Sequence, residues 1–165
     1  YGIFLNKGER MDNIDNINGI RFLQKKESVP YHNRLTYKAT ILLLILLKCC
    51  RGRGCSIEKF QILMNYLYSK ESQDTLIDFV ETKKTFVYLR FDSTIIKALE
   101  FMKSEGLIDI QQNVSFKMTD KGRAIAIAIW EDKEVFLFEK AFLSKMGSSL
   151  TENLVQEINN SIFGN

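Results

Sequence analysis

Residues 38–56, KATILLLILLKCCRGRGCS, admit three readings: a membrane span, a cysteine metal site, or a buried helix that ends in a basic loop. The unbroken apolar run at 41–47 has seven residues between Lys38 and Lys48. A bilayer span needs about 20, so no membrane segment is expected here. Zinc is also disfavoured. Cys49 and Cys50 are adjacent and point different ways on a helix, and the only histidine, His32, lies before that helix. A helix apolar all round is the central helix of a globular core. Its basic end, "RGRG", stops it, because Gly52 and Gly54 tolerate left-handed backbone. Leu43 and Leu46 are therefore expected in the core, and Arg51 and Arg53 at the surface.

The 165 residues suffice for one domain, and 45% hydrophobic with 26% charged content is ordinary for a globular protein. The opening YGIFL lacks the length and flanks of a signal peptide. Three cysteines with no zinc spacing fit reduced thiols in the cytoplasm, the expected location. Residues 21–59 hold nine Lys/Arg and two acids, a charge of +7 against +3 for the whole chain. That asymmetry fits either a surface facing a polyanion or the solvated face of a helical bundle.

The order of elements follows from periodicity and caps. Residues 1–33 are read as an N-terminal arm, rich in Asn and Asp and closed by Pro30. A helix is predicted at 35–50, then a second to about 68 with Ser56 as N-cap and Lys59 at N3. A short helix is expected at 74–81. TFVYLRF, 85–91, alternates and is predicted as a strand. Asp92 or Ser93 caps the next helix, with Ile95, Ile96, Leu99 and Met102 inward and Gly106 after its end. Two short strands, LIDIQ and VSFKMT, turn at Gln112-Asn113. Thr119 or Asp120 caps the helix that follows. EDKEVFLFEKAFLSKM, 131–146, is a further helix pattern, and Ser149 or Thr151 caps the last, 154–163. The expected fold is mainly α with a small β-wing, a winged helix-turn-helix-like domain over 34–131, and extra C-terminal helices, 132–165, packed on it.

SFKMTDKGRAIA (115–126) resembles the end of the wing in many winged helix proteins, and EGLID (105–109) the exit from the recognition helix. The wider pattern is carried by RLTYKATILLLILLKCCRGRGCSIEKFQIL, VYLRFDSTIIKALEFMKSEGLI and FEKAFLSKM. It is similar to small accessory (middle) subunits of bacterial three-component defence systems built around an SMC-like ABC ATPase, the Lamassu type. The resemblance spans residues 33–163 diffusely and brings no catalytic motif. It implies a scaffold or regulator that binds the ATPase or its effector and touches DNA.

No enzyme constellation is found. His32 has no nucleophile motif beside it. RGRG follows a helix and lacks the GK[ST] of a phosphate loop. No carboxylates gather as in a metal nuclease. The chain is expected to be no enzyme and to need no metal or cofactor. Two binding readings stay open. As a DNA-binding regulator, its third helix would enter the major groove. The outward positions there, Thr94, Lys97, Glu100, Lys103 and Ser104, include no Arg, Asn or Gln to read base edges. Lys48, Arg51 and Arg53, with Lys97 and Lys103, can still grip duplex phosphates. As a docking subunit, it would use its large aromatic load of twelve Phe, six Tyr and one Trp. Phe136 and Phe138, with Leu154, Ile158 and Ile162 of the last helix, are the candidate partner contacts.

Overall fold

The computed structural model describes residues 15–17, 20–22 and 34–163, and the chain divides into two units, Tyr1–Arg34 and Leu35–Asn165. In the first unit, β1 (Asp15–Ile17) pairs antiparallel with β2 (Ile20–Phe22), Asn16 opposite Arg21. The stretch read as an Asn- and Asp-rich arm thus contains a short hairpin, a pairing not foreseen from the sequence. The Asn18-Gly19 pair between the strands favours two-residue hairpin connections. The expected boundary at Pro30, and His32, lie outside the described residues.

The second unit runs α1 (Leu35–Cys49), α2 (Ile57–Asn65), α3 (Lys70–Thr82), α4 (Ser93–Ser104), β3 (Ile108–Ile110), β4 (Phe116–Met118), α5 (Asp120–Glu131), α6 (Leu137–Met146) and α7 (Glu152–Phe163). It is mainly helical, with one small antiparallel hairpin. Helix α1 is the centre. Ile41, Leu42, Leu44 and Ile45 are fully buried, and α4, α5, α6, α2 and β4 all pack on it. Leu43 and Leu46 are buried as expected, whereas Leu35, on the same face, is exposed at the helix start. No described helix is long and apolar enough to cross a membrane.

The caps follow the sequence closely. The Ser56 hydroxyl accepts from the Lys59 amide, Asp92 from Thr94, Thr119 from Gly122, and Thr151 from Leu154. Each satisfies an orphan N–H of the first turn. Helix α3 is longer than predicted because Ser69 caps it, so it starts four residues before the expected Asp74. Helix α6 is shorter than predicted. Residues 132–136 form an irregular link in which the Asp132 side chain accepts from the Glu134 amide.

Residues 85–91 are not in a sheet, and this corrects the predicted strand. Their exposure alternates as a strand's would, with Val87 buried between exposed Phe86 and Tyr88. The backbone partners, however, are side chains at the end of α2. The Tyr88 amide donates to the Tyr66 hydroxyl at 2.8 Å, and the Asn65 side chain donates to the Arg90 carbonyl at 2.5 Å. Gln61 bonds both backbone groups of Asp92, at 2.8 and 3.1 Å. Alternate residues of the extended chain are thus satisfied by α2 instead of by a neighbouring strand.

The strand that does join the hairpin is a single residue. Cys55 exchanges two backbone bonds with Phe116, at 2.8 and 2.9 Å, and so bridges the α1–α2 connection to β4. Gly54 is required beside it. With φ at +91°, a side-chain Cβ there would lie 2.7 Å from Gln111 Oε1 and 2.8 Å from Ser115 Oγ.

Candidate functional site

Two surfaces hold the residues of interest. The first is the basic end of α1. Lys59, almost fully buried, donates from Nζ to the Cys49 carbonyl at 2.7 Å and so places a cation on the C-terminal end of the helix. The chain then turns sharply through Arg51, Gly52 and Gly54, all at positive φ. Arg51 and Arg53 project to solvent as expected. They border a hollow of about 300 Å³ that also takes in Cys50, Lys59, Thr151 and Glu152. Lys48 is half-buried, its ammonium 4.2 Å from the centroid of the Trp130 ring.

Glu152, in the first turn of α7, offsets part of this charge. It accepts from the Ser56 amide at 3.2 Å and from the Ser56 hydroxyl at 2.6 Å, and so ties α7 to the start of α2. Its carboxylate is therefore a structural partner in the hollow. Arg51 and Arg53 are exposed on this turn and form no ion pair among the described residues. Guanidinium groups suit phosphate oxygens, and contacts of that kind carry no sequence information.

The three cysteines are buried and form no disulfide. Burial, with Cys50 adjacent, pushes the Cys49 thiol up to about 12, and Lys59 opposes this only in part. Burial also raises Cys55, while the Cys55 thiol hydrogen-bonded to Cys50 draws Cys50 below its ordinary value. Among the described residues no group of His, Cys, Asp and Glu is arranged to hold a metal ion.

Lys97 and Lys103 stand exposed on α4 and do not border the hollow at Arg51 and Arg53. Glu100 and Ser104 are exposed beside them. Thr94, expected to face outward, is instead half-buried. Its hydroxyl donates to Asp92 Oδ1 at 2.6 Å and accepts from Lys38 Nζ. Lys38, 2% exposed, also donates to Asp92 Oδ2. This buried ammonium seats the start of α4 on α1.

The end of α4 is seated by the segment that follows β4. Thr119 Oγ1 donates to the Gly106 carbonyl at 2.6 Å, and Lys121 Nζ to the Glu105 carbonyl at 2.8 Å. A Cβ at Gly122 would fall 2.1 Å from the Leu107 carbonyl oxygen. The TDKG tetrad is therefore a clamp, with a cap, a lysine on the carbonyl of Glu105 that caps α4, and a glycine for close approach.

The second surface is apolar. Of the candidate partner contacts, Phe138 is 46% exposed on α6 with Leu137 beside it, and Ile162 is exposed near the end of α7. Phe136 is half-buried, its ring 5.9 Å from Tyr37. Leu154 and Ile158 are buried in the chain's own core, so α7 packs at home. Sequence reasoning missed Phe86, Tyr88 and Phe91, which stand further out than any of these, at 83, 71 and 67% exposure. The alternation of Phe86 and Tyr88 about Val87 was visible, but a strand within a sheet was the wrong setting for it, and Phe91 lies off that period. Neither a protein-family model, nor a curated protein, nor a solved structure matches this chain.

Proposed function

We propose that this chain is a non-catalytic accessory subunit with winged helix architecture. It docks on an SMC-like ABC ATPase and its effector in bacterial anti-phage DNA surveillance, in the cytoplasm, and touches duplex DNA only through phosphates. The bridge between Cys55 and Phe116 supports the architecture. A hairpin entered directly from a helix, and backed by a pairing residue between the first two helices, is what a winged helix requires. The partner class rests on the resemblance of residues 33–163 to middle subunits of the Lamassu type.

The make-up of α4 is the single observation that favours a subunit over a transcriptional regulator. Its exposed face carries Lys97, Glu100, Lys103 and Ser104, and Thr94 is spent on the Lys38–Asp92 contact. A helix that reads sequence presents Arg, Asn or Gln to base edges. The exposed Leu137 and Phe138 provide instead the apolar contacts from which interface anchors are drawn.

Binding to unrelated duplexes across a salt series tests the DNA part. Arg51→Ala with Arg53→Ala should weaken every duplex alike and reduce the salt slope by about two, one for each phosphate no longer neutralised. Tight binding to one sequence, abolished by Lys97→Ala, would instead establish the regulator.

A further inference from the structure

Residues 83–91, KKTFVYLRF, carry three cations and no acid. Phe86, Tyr88 and Phe91 point their rings into solvent, while buried Val87 and the α2 side chains hold the backbone beneath them. Lys83 reaches Glu157 at 3.5 Å, and Asp78 is taken up by the Thr85 hydroxyl. Lys84 and Arg90 are exposed and form no ion pair among the described residues. The ridge is therefore aromatic, cationic and fixed in place.

We propose that residues 83–91 form a stacking ridge for single-stranded nucleic acid. Phe86 and Tyr88 are two residues apart, and both exposed rings offer faces on which unpaired bases can stack. Bases in a duplex have no free faces to offer. Unpaired bases do, and aromatic stacking beside a basic track is how proteins hold them without reading sequence. Lys84 precedes Phe86 and Arg90 stands between Tyr88 and Phe91, so cations flank the rings as the phosphates of a stacked single strand require. The ridge lies apart in sequence from the Arg51–Arg53 loop, and the inference does not depend on the duplex contacts proposed there.

The experiment is fluorescence anisotropy with the full chain and a labelled oligodeoxythymidylate of about 15 nucleotides, a length one small binding site covers, beside a duplex of equal length. The single strand should bind more tightly than the duplex at low salt. Phe86→Ala with Tyr88→Ala should lower its affinity at least about tenfold, with the melting temperature kept because both side chains are exposed. Lys84→Glu with Arg90→Glu should weaken binding and flatten its salt dependence. Phe86→Trp should bind as well as the parent chain, and its added indole emission, over that of Trp130, should be quenched by the strand. Arg51→Ala with Arg53→Ala should leave the single strand within about twofold, so the two readings fail separately. A duplex preference would overturn the proposal, as would unchanged strand affinity in the alanine pair or an unquenched Phe86→Trp. Loss of a protein complex in those variants, with strand affinity intact, would mark the ridge as a protein-docking surface and overturn it equally. Should the alanine pair fail to fold, quenching of Phe86→Trp decides by itself.

Discussion

Lys38, buried on an apolar helix, donates to side-chain oxygens of Asp92 and Thr94. Burial by itself would raise the Asp92 carboxyl. The Lys38 ammonium and the Thr94 hydroxyl and amide outweigh it and hold the group below its ordinary 3.8. A depressed carboxyl contributes stability that is fully present above its unfolded value and is lost as pH falls through the folded one. Asp92→Asn should therefore cost about 1.5–3 kcal/mol near pH 6, the range for a hydrogen bond to a charged group. The gap to the parent chain should narrow below about pH 4. Urea titrations of both proteins at pH 6 and pH 3 measure this, and a gap independent of pH would refute the pairing. From the sequence, Lys38 was legible only as the edge of an apolar run. Its acid stands 54 positions away, and no local pattern links them.

At the scale of elements, caps and turns were the legible part. Ser56, Asp92, Thr119 and Thr151 act through groups two or three residues away, so the information is local. The TDKG tetrad was legible as a motif but not as a clamp, since its partners lie on the preceding helix end. Gly122→Ala should cost about 3 kcal/mol, the upper part of the range for overpacking, because the Leu107 carbonyl must move. An unchanged denaturation midpoint would mean that α5 seats differently. For residues 85–91 the period of two matched the burial of Val87 between exposed Phe86 and Tyr88, but not a strand. Periodicity is silent on what bonds the backbone, and here it is α2. Gln61→Leu removes two bonds to Asp92 and should destabilise by about 1–3 kcal/mol. Amide exchange should then quicken at Tyr88 and Asp92 more than in α1. Uniform protection across these segments would contradict the role given to α2.

At the scale of the molecule, a central apolar helix leaves its polar and aromatic surplus to two outer surfaces. The basic loop was legible because glycine and arginine at a helix end are seldom buried, and Arg51 and Arg53 are exposed. The apolar surface was legible in part. An aromatic count cannot say which rings the core absorbs, and the core took Leu154 and Ile158 while leaving Leu137 and Phe138 outside. The central claim is that this chain is a subunit whose stable state is a complex. The direct measurement is co-expression of the tagged chain with the products of the genes flanking its own, followed by the mass of the purified species from light scattering. The account predicts a complex with an SMC-like ATPase that survives high salt. It should be weakened about 30-fold or more by Leu137→Ala with Phe138→Ala, as the loss of a buried anchor worth about 2 kcal/mol implies. A chain that elutes free beside intact flanking products, and binds one duplex sequence tightly, would contradict it.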